Sequence, residues 1–472
     1  MNKAHYIRYN WISEDPTLIA KAQWLTDQFH ASKNLKRKNK RDFLSAFNVI
    51  LTCFDIYDVY KGWELHIPIN NNLYSGGTRR NPTYTSEIKV AIKWLIAEGF
   101  ICEVQGVTKP KQKGRKKRQF IPKSYMITAP RGVFEISPKP LSDPRLIKRN
   151  PLAGYYEVRK KKDKDGAKVV KRLTEKEKQQ HKEVISSTEE TLEAYDNFMV
   201  DVVTSIGTKE VSPQQTSLTR IFSQGSFGKG GRLYSPIQNY KKETRKYLYF
   251  DNEPTIEIDY SSFHPHLIYH QAGLHFSGDD PYEIEGLDRD KVKTAFNIML
   301  NRKGYKGKES AVETLSYELK VSAEEATAIE QAILSLHAPI ADRFNSGDGL
   351  ELQRLDSDIA LSVVKYFIED LKRPIIPIHD SFIVSVRDTE SLILAMEGEY
   401  RDSIDEVMKG IKSVAQEFST ELSKAVLNCF EQDTDHLSDS YWNALIAKEG
   451  VNEPKAITVS EDDVSDSNDV YL

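Results

Sequence analysis

The apolar positions of this chain change period several times, and each change marks an element. Residues 41–57 carry apolar side chains at helical spacing, whereas 63–69 alternate as a strand does. The clearest helix is 84–99. Its apolar face is Ile88, Val90, Ala91, Trp94, Leu95 and Ala97, with Thr85 or Ser86 at the N-cap, Glu87 in the first turn and Gly99 at the end. A strand at 100–104, a basic Gly/Pro turn at 109–117 and a returning strand at 120–127 follow. Residues 136–172 hold Pro and Lys without a stable period and read as a linker, 175–204 as a polar, charge-rich helix. Beyond Gly450 the chain has almost no bulky apolar residues and a Ser/Asp/Glu bias, the composition of a disordered tail.

Two apolar, β-rich runs each carry an Asp near the end. The run 255–259 alternates, with Ile256 and Ile258 on one face and Asp259 last. A helix should follow, capped by Ser261 or Ser262, with Pro265 tolerable in its first turn and Gly273 closing it. The runs 375–378 and 382–386 read as a hairpin with His379, Asp380 and Ser381 at its tip. Taken alone, Asp380 is equally a turn residue bonding its own backbone; paired with Asp259 in an equivalent setting, it is a candidate catalytic carboxylate. Phosphoryl transfer to a growing strand uses two such carboxylates to hold a pair of divalent ions about 3.5–4 Å apart.

Between the two Asp residues, Asp288 can cap a helix over 289–301 on which Arg289, Lys293, Asn297 and Asn301 recur every four residues and form one ridge. Such a ridge could hold a triphosphate and then its sugar and base, Arg as a fork and Lys as a point charge; a solvated charged face has the same spacing. His266 and His270 stand at i and i+4, a zinc-ligand spacing that lacks an obvious third ligand and also suits packing or nucleotide contact. Residues 353–360 begin an amphipathic helix, which is an ordinary capped helix or, by the resemblance given below, one whose Gln353 and Arg354 face a primer–template.

Composition adds one asymmetry. The net charge of −3 conceals basic runs at 36–38, 109–118 and 159–171 and an acidic end, which suggests a nucleic-acid partner for the basic part or else solvated loops. The three cysteines, Cys53, Cys102 and Cys429, are far apart, which argues against a disulfide framework or a zinc ribbon. The start of the chain lacks a signal-peptide core, and no stretch approaches the roughly 20 apolar residues of a membrane span. The expectation is a cytoplasmic protein with no membrane partner.

Helix followed by basic hairpin resembles a winged-helix module, with the helix against the major groove and Lys111, Lys113, Arg115, Lys116 and Lys117 against phosphates; winged helices also dock proteins. The order Gly231-Arg232-Leu233, Glu257-Ile258-Asp259-Tyr260-Ser261, Arg289 and Lys293, His379-Asp380 resembles family A DNA polymerases. Single-subunit phage-type RNA polymerases share that palm, and their second motif is closer still to His379-Asp380-Ser381-Phe382. The resemblance covers about 216–390. It implies an α+β fold: a right-hand-like palm built on an antiparallel sheet, with helical fingers and an N-terminal winged-helix-like domain. The expected division is 1–135 winged-helix-like, 136–215 linker and helical region, 216–432 palm and fingers, and 433–472 a helix and acidic tail.

By the same resemblance, Asp259, Asp380 and the Tyr260 carbonyl would bind two Mg²⁺ or Mn²⁺ ions. Arg289 and Lys293 would take the triphosphate, with Lys293 protonating the leaving pyrophosphate, while His379 touches the growing end and Arg232 the duplex or its neighbour. The chain departs from the family where Asn297 and Asn301 replace two aromatics, where Ser381 replaces the usual Glu, and where His264 replaces the Glu that excludes a ribose 2′-OH. His264 leaves the choice of sugar open. The resulting expectation is a template-dependent DNA polymerase acting on a template–primer duplex and nucleoside triphosphates. RNA synthesis as a primase or small RNA polymerase is the first alternative, and a non-catalytic replication initiator with a degenerate palm the second. No protein partner can be named.

Overall fold

The computed structural model describes residues 5–6, 9–33, 40–56, 65–68, 83, 85–103, 124–128, 143–150, 152–160, 170–272, 274–302, 310–347 and 349–404. They belong to two compact units: one from Met1–Arg220 with Tyr234–Pro254, the other from Ile221–Leu233 with Thr255–Val451. The chain mixes helices with antiparallel sheet, and no helix among the described residues is long and apolar enough to cross a membrane.

In the first unit the strands β1 (His5–Tyr6) and β2 (Trp11–Ser13) precede the helices α1 (Pro16–Lys33) and α2 (Lys40–Ile56). Strand β3 (Leu65–Pro68), helix α3 (Ser86–Ala97), and strands β4 (Cys102–Glu103) and β5 (Ser124–Thr128) follow. Helix α3 begins as its sequence requires, with the Thr85 side chain accepting from the Ile88 N–H. Its apolar stripe, Ile88, Ile92, Trp94 and Leu95, joins Leu18, Leu25 and Phe29 of α1 and Phe47, Ile50 and Phe54 of α2 in one buried core. Each such side chain contributes about 1.5–3 kcal/mol when fully buried. Strand β3 pairs antiparallel with β5, and β5 with β4. The basic hairpin with Lys111, Lys113, Arg115, Lys116 and Lys117 lies outside the described residues, as do the acidic tail and the rest of 433–472.

The linker expected at 136–172 is corrected in part. Residues 143–150 hold a 3₁₀ turn, Pro144–Leu146, and strand β6 (Ile147–Arg149), which pairs antiparallel with β2. Sequence period could not show this, because a three-residue strand has too few positions to alternate. Its last residue, Arg149, is buried between the rings of Trp11 and Tyr155, at 5.1 and 4.1 Å. Its Nη2 donates to the Asp196 carboxylate, Ser217 Oγ and the Leu218 carbonyl at 3.1, 2.7 and 2.8 Å. After β7 (Tyr156–Val158), the single helix expected at 175–204 is instead two, α4 (Glu175–Gln180) and α5 (Lys182–Met199), broken at His181. Thr174 and Glu177 close a capping box on the first. Strands β8 (Thr204–Ile206), β9 (Lys209–Glu210) and β10 (Thr219–Phe222) come next.

After β11 (Gly230–Tyr234) and a short helix, α6 (Lys242–Arg245), β12 (Leu248–Phe250) turns into β13 (Glu253–Asp259). The turn between them is two residues, Asp251 and Asn252, both at positive φ, the backbone of a type I′ hairpin.

The second unit contains the last five residues of β13, then α7 (Phe263–Gln271), α8 (Arg289–Asn301), α9 (Val312–Leu319), α10 (Ala323–Leu336) and α11 (Gly349–Lys365). A π-helical turn, Tyr366–Leu371, leads to β14 (Ile375–Ile378), β15 (Ser381–Ser385) and α12 (Thr389–Ile404). All nine residues of β14 and β15 are buried, which is why Ile375–Ile378 and Phe382–Val384 are apolar runs rather than alternating ones. Strand β15 lies between β14 and β13, antiparallel to both.

Candidate active site

The register of β13 against β15 puts Asp259 opposite Ser381, and the pairing continues one residue further as the Tyr260 N–H donates to the Asp380 carbonyl at 3.3 Å. The two Asp residues are therefore neighbours across the end of the sheet. Both chain reversals there are tight. Ile378 pairs with Ser381, so His379 and Asp380 form a two-residue turn, and His379 sits at φ +63. Ser262 sits at φ +53 directly before α7. Left-handed backbone in residues other than glycine costs energy and concentrates at functional sites. Ser262 is the N-cap residue, but its side chain makes no capping bond, since this backbone turns it away from α7.

The surroundings hold Asp259 firmly. Asp259 itself is exposed while Ile258 before it and Tyr260 after it are buried. The Tyr260 hydroxyl donates to the Met396 carbonyl of α12 at 2.8 Å, and its ring stacks on Phe263 at 4.2 Å. Ser381 Oγ lies 3.1 Å from both Glu257 Oε1 and the Ile378 carbonyl, so its one proton is shared between them.

Helix α8 starts on the Asp288 side chain, which accepts from the Lys291 N–H. Val292, Ala295, Phe296, Met299 and Leu300 are its buried face. The Arg289–Asn301 ridge runs along the other side. Arg289 Nε donates to Asp280 Oδ2 at 2.5 Å, and Asp280 Oδ1 accepts from the Tyr282 N–H at 2.9 Å. The guanidinium of Arg289 lies 5.6 Å and the Lys293 ammonium 5.9 Å from the centre of the Tyr282 ring. Asn301 Nδ2 donates to the Asn297 carbonyl at 2.9 Å, so the amide end of the ridge is partly engaged with itself. Gly349 lies against Asn301 so closely that a Cβ there would stand 2.1 Å from Asn301 Oδ1.

Arg232 and His264, expected at the duplex and at the sugar, share one buried carboxylate. Arg232 places Nη2 2.6 Å and Nε 3.1 Å from Asp356 Oδ2, and His264 Nε2 lies 2.9 Å from the same oxygen. An ionised carboxylate only accepts, so His264 carries its proton on Nε2 and donates it. Burial alone pushes the Asp356 carboxyl up, but the Arg232 guanidinium, with hydrogen bonds from His264 and Arg232, holds it below the ordinary carboxylate range. Gly231 makes this contact sterically feasible: at φ +88, a Cβ there would meet Ser357 Oγ of α11 at 2.7 Å. Arg354 is turned inward as well, donating from Nε to the Phe227 carbonyl at 2.7 Å and pairing with Asp358. Gln353 is half-buried beside it.

Sequence reasoning missed Asp280, Tyr282 and Asp356. Asp356 lies 124 residues from Arg232, a separation no local pattern spans. Tyr282 had a weak signal: the aromatics expected on the ridge are absent from α8, and Tyr282 is the nearest aromatic before its cap.

For metal chemistry the donors are hard. Mg²⁺ is commonly held through one or two carboxylates together with substrate phosphates, and the Asp259–Asp380 pair suits that. Among the described residues no three His, Cys, Asp or Glu side chains gather as a metal cluster, so His266 and His270 do not form one. Burial instead pushes the His266 imidazole down, against the opposing charge of Asp280.

No family model matches this chain, and no curated protein does. Among solved structures it is similar to the POL domain of Pol1 from M. smegmatis in complex with DNA primer-template and dNTP, at 13% identity and a TM-score of 0.31, over 54% of this chain and 57% of that one. A likeness of that size does not establish a shared fold.

Proposed function

We propose that this chain is a nucleotidyltransferase that extends a nucleic-acid strand on a template, with DNA the favoured product. The observation that carries the reading is the pairing of β13 with β15, which makes Asp259 and Asp380 neighbours at one sheet end. Asp259, Asp380 and the Tyr260 carbonyl would hold divalent ions, which when bound activate the attacking 3′-hydroxyl and steady the leaving pyrophosphate.

The chain's own residues take the remaining roles. Arg289 uses only Nε for Asp280, which leaves the two Nη groups to grip phosphate as a fork. Lys293 has no acidic partner among the described residues, whereas Lys291, off the ridge, is paired with Glu325 at 2.8 Å. The ridge cations are thus available to an anion, and Lys293 would give its proton to the departing pyrophosphate. Asn297 and Asn301 would continue the ridge towards sugar and base, and His264, in the first turn of α7, would lie on the sugar side. His379, Arg232, Gln353 and Arg354 would support the template–primer strands, Arg232 and Arg354 indirectly through their internal contacts. A winged-helix-like module with α3 and the basic segment 109–118 would grip the duplex phosphates.

The test is extension of a labelled primer–template with dNTPs and rNTPs in separate reactions, in Mg²⁺ and in Mn²⁺. Wild type is expected to extend the primer, and Asp259→Ala and Asp380→Ala are expected not to. Absence of extension by wild type under every condition, with the duplex tightly bound, would overturn the reading.

A further inference from the structure

We propose, resting on the nucleotidyltransferase reading, that Tyr282 is a positioning residue of the nucleotide site, whose ring holds Arg289 and Lys293 side by side for one triphosphate.

The two cations stand four residues apart on α8, where like charges repel. Without a common partner their long side chains would spread apart in solvent. Asp280 neutralises only Arg289. The Tyr282 ring reaches both, at 5.6 and 5.9 Å, within the distance at which a cation is attracted to an aromatic face. The ring is itself buried: Tyr282 is 3% exposed, and it packs edge-to-face on Phe296 of α8 at 5.5 Å. Its main chain is tied down by Asp280 Oδ1, the carboxylate that also holds Arg289. One short turn, Asp280 to Tyr282, thus contacts both cations, and Lys293, which has no acidic partner among the described residues, keeps its charge for a ligand. The ligand this fits is a polyanion with oxygens spread over several ångströms, as a nucleoside triphosphate is. Burial is the main cause that pushes the Tyr282 phenol up. The turn therefore supplies an aromatic face at the Arg289 and Lys293 end of the ridge.

The experiment is equilibrium binding of dATP to the full chain, with primer–template binding measured in parallel. Tyr282→Met keeps a long apolar side chain, though a smaller one, and removes the π-face. Losing two contacts of about 0.5–1 kcal/mol each predicts a dATP Kd raised roughly 5- to 30-fold, with the duplex Kd unchanged. Tyr282→Phe should bind dATP as wild type does, since the ring rather than the hydroxyl does the positioning. If Tyr282→Met fails to fold, Tyr282→Phe carrying successive ring fluorines decides the matter, because fluorine weakens the π-face at nearly constant volume. A dATP Kd that climbs with fluorine number supports the role. Wild-type-like dATP binding by the methionine or fluorinated variants, while wild type binds dATP and extends primers, overturns the positioning role and leaves the polymerase reading intact. Absence of both dATP binding and extension in wild type overturns the two together.

Discussion

Asp356→Ala should be among the most damaging single changes in the second unit. The Asp356 side chain is fully buried, and the two groups it serves, Arg232 and His264, retain only 16% and 13% side-chain exposure. Removing the carboxylate leaves a guanidinium in the interior with its main acceptor gone. Breaking a buried pair this way costs about 3–5 kcal/mol, most of it the stranded charge rather than the lost bond. Arg232→Met in the same background removes that charge, so the double variant should recover a large part of the loss. The pH dependence has a definite sign. The folded carboxyl titrates below its ordinary value, so its stabilisation is complete above the ordinary carboxylate pKa of about 4 and disappears as pH falls through the lower folded value. The difference between wild type and Asp356→Asn should therefore narrow below about pH 4. Urea denaturation followed by circular dichroism reads each quantity. A cost under about 1 kcal/mol for Asp356→Ala, or no recovery on adding Arg232→Met, would refute the reasoning.

Three further outcomes follow from the same geometry. Gly231→Ala combines a strained φ of +88 with a 2.7 Å approach to Ser357, and should destabilise by about 1–3 kcal/mol in thermal melts. His337 is wholly buried and accepts at Nδ1 from the Tyr269 hydroxyl at 3.2 Å while donating from Nε2 to the Pro281 carbonyl at 2.8 Å. Tyr269→Phe should therefore cost about 0.5–1.5 kcal/mol by the same melts. Burial pushes the His337 imidazole down; the unfolded chain takes up its proton first, so stability should fall as pH drops below about 6.5, and His337→Gln should reduce that slope to the part left by His266.

The parts of this fold that could be read in advance are those with a local cause. Asp288 is legible as a cap because it immediately precedes an amphipathic run, and the strands of the hairpin because burial on both faces demands the apolar runs Ile375–Ile378 and Phe382–Val384. Helices α1, α9, α10 and α12 were not anticipated. Of these α10 carried a readable signal, Ser322 accepting from the Glu325 N–H at its start. Strand β6 has only three residues, and its partner β2 is far away in sequence, so nothing local announces it. The candidate site divides in the same way. The ridge on α8 follows from spacing, whereas the anion that holds Arg232 and the ring beneath Arg289 come from other segments, and their roles depend on how the backbone returns.

The carboxylate pair also constrains how the protein can be made. Glu257 and Ser381, which meet beside it, are 124 residues apart, and Tyr260 and its anchor Met396 are 136 apart. On a ribosome adding about 5–20 residues per second, strand Glu253–Asp259 emerges roughly 6–25 s before the strand that will cover it. During that interval one edge of it is unpaired, and such an edge is a template for pairing with other chains. A nascent chain stopped before Asp380 lacks one of the two carboxylates, so on the proposed reading a truncation series should give activity that switches on late, rather than rising with length.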